Sequence, residues 1–267
     1  MESVLNLPIL EGSKVSLVLA HPGHEFRLLE WIRRHRPQIH IMTYGSRGGN
    51  STERISASRK LAQQLEASPG ALFGVASDRE FYQSVLLSDF DFFDTLTRRL
   101  AGSLIDQRAD AVVADRWQDY NPIHDLTHAV ARAAVHLAAS RLDEDISFFD
   151  YAVVADDQSV CVQAEACRIN LTPVECARKM AAMNAFPDIA DDIDALVGQL
   201  GRGAISVEIL NVAAPHAGLG PRAIAAWYET YGAERVRTGI YKEVLTGAHV
   251  SRIAEHLART FGLAELT

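Results

Sequence analysis

Two short stretches concentrate residues able to hold a metal ion. The first is His21-Pro22-Gly23-His24-Glu25, which ends an apolar run. The second is Asn121-Pro122-Ile123-His124-Asp125, with His128 shortly after it. Gly23 lets the chain bend without steric cost, so two imidazoles held on one tight turn can chelate. His124 and His128 stand at i and i+4, on one face of a helix. They can share a metal; alternatively one is a ligand and the other meets a substrate, or both are half-exposed helix residues. Two histidines from the first stretch and one from the second make three protein ligands with a position left open. That is the pattern of a catalytic zinc site rather than a structural one. Without a metal, the first pair reads as solvent-facing histidines at a helix start.

Short apolar runs alternating with amphipathic segments must bring these stretches together. Strands are predicted at 15–20, 39–44, 71–76, 110–115 and 146–154, and helices at 25–35, 53–66, 90–108 and 122–140. Asp89 and Asn121 suit helix N-caps, and Pro122 the first helical position. This alternation implies an α/β fold with a mostly parallel sheet covered on both faces and right-handed crossovers. In such a sheet, ligands bind beyond the carboxyl ends of the strands. His21 and His24 follow the first predicted strand. Tyr44 to Arg47 follow the second, Asp78 to Glu80 the third, and Asp115 to His128 the fourth. Past residue 155 the rhythm changes. Thr172-Pro173-Val174-Glu175 reads as a capping box. A strand is predicted at 205–213, a helix at 222–232 with Gly232 as its C-cap, and a last helix at 249–261. The chain of 267 residues is expected to form a single domain: a metal-binding α/β core over 14–155 and a C-terminal elaboration over 156–267.

Composition narrows the function. A hydrophobic fraction of 48% supports a substantial core. A net charge of −8 argues against a nucleic-acid partner, which needs a basic footprint. The N-terminal stretch has no basic, apolar leader pattern, and nothing approaches the roughly 18 apolar residues of a membrane span. The expectation is a cytoplasmic protein with no membrane contact. Cys161, Cys167 and Cys176 are too few and too irregular for a disulfide framework or a zinc ribbon, and are expected to be reduced.

The strand followed by Ala20-His21-Pro22-Gly23-His24-Glu25 resembles the Ala-His-Pro-Asp-Asp-Glu signature of the PIG-L/LmbE-like family, zinc-dependent N-acetylglucosamine deacetylases. Tyr120-Asn121-Pro122-Ile123-His124-Asp125 is similar to that family's second histidine motif, usually His-Pro-Asp-His. The segment from Thr43 to Leu65 resembles the family's stretch after its second strand. The likeness covers residues 14–155. It implies a Rossmann-like three-layer α/β/α sandwich holding Zn2+ or another divalent metal. The implied reaction is hydrolysis of an N-acyl amide on a small molecule, such as an acylated amino sugar or related metabolite. By position, His21 matches the first ligand, His24 the second and His124 the third. Glu25 matches a supporting glutamate. Imidazole can replace the family's carboxylate at His24 because it also suits zinc.

Two departures stand out. Gly23 occupies the place of the family's general base. Asn121 replaces a histidine associated with the tetrahedral intermediate. A positioned base contributes about 10²- to 10⁴-fold, so another group must serve; His128, Asp119 and Asp125 are nearest in sequence. Asn121 could donate to an oxyanion unless its side chain caps the helix. Arg47 and Arg54 are candidates to meet an anionic group of the substrate. Tyr120, like Trp117, could stack on a sugar ring or simply pack. His216 reads as a surface histidine. Two alternatives remain: hydrolysis of a carbamoyl or ester group with a substitute base, and a non-catalytic binding descendant. Homo-oligomerisation is left open.

Overall fold

A computed structural model describes residues 12–45, 51–154, 164–186, 205–214, 217–218 and 225–263. Seven strands form one sheet: β1 (Val15–Leu19), β2 (Gln38–Thr43), β3 (Ser68–Ala76), β4 (Ala111–Asp115), β5 (Ser147–Tyr151), β6 (Glu165–Asn170) and β7 (Val207–Val212). Their order is β3-β2-β1-β4-β5-β7-β6. The first five run parallel; β7 is antiparallel to β5, and β6 to β7. The helices are α1 (Leu29–His35), α2 (Ser51–Gln64), α3 (Asp78–Leu86), α4 (Phe90–Gln107), α5 (Pro122–Leu142), α6 (Pro173–Asn184), α7 (Trp227–Arg237) and α8 (Gly247–Thr260).

The period of two along β1 divides the core. Val15, Leu17 and Leu19 pack in a cluster with Trp31 and Ile32 of α1, Leu61 of α2 and Met183 of α6. Val18 belongs to the opposite cluster, with Phe81, Phe93 and Val130 from α3, α4 and α5, and Ile253 of α8. All five residues of β1 are buried, as expected of a central parallel strand. The result is a three-layer α/β/α arrangement. The C-terminal strands extend the same sheet, and a buried charge ties them to its start. Glu208 of β7 accepts from Lys179 Nζ at 2.7 Å and from the N–H groups of Glu30 and Trp31 at 3.1 and 2.8 Å. It thereby satisfies donors around the start of α1 that the helix itself cannot pair.

Several elements depart from the sequence reading. The first predicted helix opens as a 3₁₀ turn over His24–Leu28 and becomes α-helical only at Leu29. Helix α3 is additional to the predicted elements, although Ser77 and Glu80 form a full capping box at its start. Strand β6 is additional too, because it is a short strand paired with β7 alone, without the continuous apolar run of the central strands. Strand β3 begins earlier than predicted and includes Gly70. A side chain there would collide with the His40 ring, at 2.3 Å from its nearest atom. Gly232 lies inside α7 and does not cap it; a side chain there would stand 3.4 Å from Val244. Asp89, Asn121 and Thr172 cap α4, α5 and α6. Cys167 and Cys176 are free thiols. Arg47, Cys161 and His216 lie outside the described residues.

Candidate metal centre

Strand β1 lies between β2 and β4. The chain winds out through β2 and β3, then returns to β4 on the other side of β1. Such a reversal opens a crevice at the strands' carboxyl ends, the usual ligand site of open α/β sheets. His21 and His24 follow β1, Asp115 ends β4, and His124 lies in the first turn of α5. Strand order therefore brings together residues about a hundred positions apart in sequence.

The turn after β1 depends on Gly23, whose φ is 102°. A side chain in left-handed backbone costs roughly 1–2 kcal/mol, so the glycine has a backbone reason of its own. Its N–H donates to a Glu25 carboxylate oxygen at 2.6 Å, and Phe26 N–H donates to its carbonyl at 3.2 Å. Glu25 is buried, and burial pushes its carboxyl above the usual range. On the other side of the crevice, Asn121 Oδ1 accepts from Ile123 N–H at 2.8 Å, and Pro122 starts α5. This cap sets the position of His124.

The three imidazoles form a compact triangle. Ring centres lie 5.2 Å apart for His21 and His24, 5.2 Å for His21 and His124, and 4.7 Å for His24 and His124. Three imidazoles bound tetrahedrally, at about 2.0–2.1 Å per nitrogen, would hold their ring centres roughly 5 Å apart. The spacing of the ring centres matches that figure, but among the described residues the ligand atoms that lie within 4.8 Å of one another belong to His24, Asp115 and His124, and His21 is not in that set.

Hydrogen bonds orient two of the rings. His24 Nδ1 lies 2.8 Å from Asp115 Oδ2. A carboxylate can only accept, so Nδ1 carries the proton and Nε2 keeps a lone pair. Asp115 is itself held by Ala20 N–H at 2.9 Å and by the Tyr151 hydroxyl at 2.5 Å. Burial alone would raise its carboxyl; His24, His124 and the Tyr151 hydroxyl outweigh that and hold it at about 2. Asp115 Oδ2 orients His24, as a carboxylate does behind a ligating imidazole, while Oδ1 accepts only from Tyr151 and keeps a lone pair able to meet a cation. His21 Nδ1 lies 2.9 Å from Thr43 Oγ1, which donates to Asp78 Oδ1 at 2.6 Å; Asp78 Oδ1 is also 3.3 Å from His21 Nδ1.

His124 is different. Its Nδ1 is buried and has no hydrogen-bond partner among the described residues. An unmet buried polar atom costs about 1–3 kcal/mol, so this ring is held in place without the interaction it needs. Burial, with His24 and His21 nearby, lowers its pKa well below the ordinary value. It is therefore a neutral imidazole, the form a metal requires.

The other sequence candidates are engaged in support. His128 is fully buried, with Nδ1 3.0 Å from the Asp115 carbonyl and Nε2 3.3 Å from the Arg132 guanidinium. Asp125 Oδ1 accepts from the N–H groups of Gln118 and Asp119 at 3.0 and 3.2 Å. Asp119 Oδ1 accepts from the Trp117 indole at 2.9 Å. Asn121 is committed to the helix cap and is hydrogen-bonded to Tyr82. Arg54 donates to the Pro22 carbonyl at 2.9 Å, bracing the histidine turn from behind. The Tyr120 ring lies 6.3 Å from that of His124. The rule of strand ends placed Asp78 and Asp115 at this edge from the sequence but assigned them no role, while Thr43 and Tyr151, which end β2 and β5, did not emerge.

No described helix is long and apolar enough to cross a membrane. No protein-family profile matches the chain, and no functionally curated protein matches it in sequence. Among solved structures, it is similar to the conserved protein TT1542 from Thermus thermophilus, at 20% identity and a TM-score of 0.48, over 76% of this chain and 95% of that one. It is also similar to the zinc-inhibited form of teicoplanin deacetylase Orf2, at 10% identity and a TM-score of 0.45, over 73% and 97% of the two chains. A third is the A40926 pseudoaglycone deacetylase Dbv21, at 12% identity and a TM-score of 0.42, over 71% and 86%.

Proposed function

We propose that this protein is a metal-dependent hydrolase of an N-acyl amide on a small molecule, with His21, His24 and His124 as the ligands of zinc or another divalent ion. The observation that carries this reading is the triangle of ring centres, 5.2, 5.2 and 4.7 Å on its sides, with a buried and unpartnered nitrogen on His124. A divalent ion at such a site supplies Lewis acidity toward an acyl oxygen and makes water acidic near neutral pH.

The chain's own residues do the rest. Asp115 and Tyr151 hold His24 in one tautomer, and Thr43 with Asp78 does the same for His21. Proton handling needs a carboxylate in place of the one missing at Gly23. Asp78, whose side chain is 18% exposed while Asp115 is sealed from solvent, is the carboxylate we assign to it, acting through its contact with His21 Nδ1 rather than by meeting water directly. Glu25 and Arg54 keep the histidine turn in shape.

The test is metal content and hydrolysis together. Purified protein is expected to carry, or take up on reconstitution, one divalent ion per chain and to cleave at least one member of an N-acyl amine panel. His21→Ala is expected to lose both. Protein that binds no divalent metal under either condition overturns the reading; metal binding without cleavage of any amide, ester or carbamate leaves a binding module instead.

A further inference from the structure

Tyr151 ends β5, and its backbone pairs in register with Asp115, the last residue of β4. Residues paired in register on neighbouring strands project to the same face of the sheet. One period earlier, Val113 and Phe149 are partners as well, and both pack in the cluster that holds Leu17 and Trp31. The Tyr151 ring lies in that cluster and is 1% exposed, so it does not meet a substrate. Its hydroxyl donates to Asp115 Oδ1 at 2.5 Å.

Asp115 therefore stands between two side-chain donors. His24 Nδ1–H meets Oδ2 at 2.8 Å, and the Ala20 N–H meets the same oxygen at 2.9 Å. Tyr151 meets the other oxygen. A carboxylate behind a ligating imidazole raises the basicity of the ligating nitrogen. A hydroxyl bonded to an ionised carboxylate makes a strong, charge-assisted bond. That bond draws negative charge toward Oδ1 and away from Oδ2, because the two oxygens share one charge. His24 is then a weaker ligand than the same imidazole backed by an unshared carboxylate. His21 is not tuned in this way: its Nδ1 meets Thr43 Oγ1 at 2.9 Å, and Thr43 passes its own proton to Asp78 at 2.6 Å.

We propose that Tyr151 is a positioning residue that acts through Asp115 to lower the donor strength of His24 toward a metal ion. A weaker donor leaves a bound divalent ion a stronger Lewis acid, so the arrangement favours reactivity over metal affinity. That consequence rests on the hydrolase reading; the effect on the His24 hydrogen bond does not.

Tyr151→Phe keeps the ring and removes only the hydroxyl. In metal-free protein, the His24 Nδ1–H proton resonance, followed in proton–nitrogen correlation spectra, is expected to move downfield as its bond to Oδ2 strengthens. Zinc affinity, measured by competition with a chromophoric chelator, is expected to rise about 3- to 10-fold, a part of the 10- to 100-fold typical of such outer partners. A residue that only packs would give a loss instead. In an Asp115→Asn background the same substitution should leave zinc affinity unchanged, since the route runs through the carboxylate. Cobalt(II) in the parent and in Tyr151→Phe should give absorption bands of equal intensity, the mark of one ligand set. Fluorotyrosine in place of Tyr151 is a more acidic phenol. It should move resonance and affinity the opposite way, and it decides the matter if Tyr151→Phe does not fold. An unmoved resonance overturns the proposal, as does a zinc affinity that stays or falls in Tyr151→Phe. The same gain in the Asp115→Asn background overturns it too, as does a cobalt spectrum that shows Asp115 newly coordinated. A parent protein that binds no ion defeats the hydrolase reading, and the resonance alone then decides the role of Tyr151.

Discussion

His124 and His128 lie one turn apart on α5, and both are buried. Spacing and burial do not separate them; the surroundings of their ring nitrogens do. His128 donates from Nδ1 to the Asp115 carbonyl and accepts at Nε2 from Arg132, so its proton and its lone pair are both committed. His124 presents an unpartnered Nδ1 and stands within 5.2 Å, centre to centre, of two other imidazoles. One histidine builds the loop that carries the site, and the other faces it. Two histidines at i and i+4 are a metal pair only if both lone pairs are free, and tertiary contacts remove one of them here.

The contrast can be broken by separating chemistry from support. The largest effect is expected at Asp78, the partly exposed carboxylate at His21. Asp78→Asn should lower kcat about 10²- to 10⁴-fold, measured at saturating metal on the best substrate of the N-acyl panel. A variant with full activity returns the search for a base to other loops.

The supporting histidines should instead govern acid stability. Burial, with the Arg132 charge nearby, lowers the His128 pKa to about 3, and burial lowers His40 to about 4. Both values fall below the unfolded 6.5, so below pH 6.5 the unfolded chain binds protons that the native state refuses. The stabilisation is complete above pH 6.5 and is lost as pH falls toward 4 for His40 and toward 3 for His128. Each contributes about 3 kcal/mol or more across its window. Urea denaturation between pH 7 and 4, with chelator present to keep the metal centre out of the balance, should show the loss. His40→Asn should flatten part of it; stability constant over this range contradicts the assignment.

A smaller effect sharpens the comparison from the other side. Asp115 orients His24 through its carboxylate and supports His128 through its carbonyl. Asp115→Asn removes only the first function. Metal affinity should weaken about 10- to 100-fold, read by calorimetric titration, while the acid dependence due to His128 stays as in the parent protein.

Much of the fold was legible because parallel strands are buried on both faces and therefore written as apolar runs. Val15–Leu19 and Ala111–Asp115 are such runs, and the caps at Asp89, Asn121 and Thr172 are local chemistry that needs no distant partner. Strand β6 takes its identity from pairing with β7, a partner its own residues do not name. Helix α7 runs through Gly232 to Arg237, so a glycine after an apolar run does not by itself end a helix.

The sequence by itself determined the succession of the five parallel strands, the glycine-bent turn that carries His21 and His24, and the capped helix start that carries His124. Those features depend on residues within a few positions of each other. Only the tertiary structure decided that His128 is occupied, that Asp115 lies behind His24 across 91 positions, and that Asp78 reaches His21 through Thr43. A lone pair is free or taken according to what packs against it, and that follows from the order in which strands lie side by side.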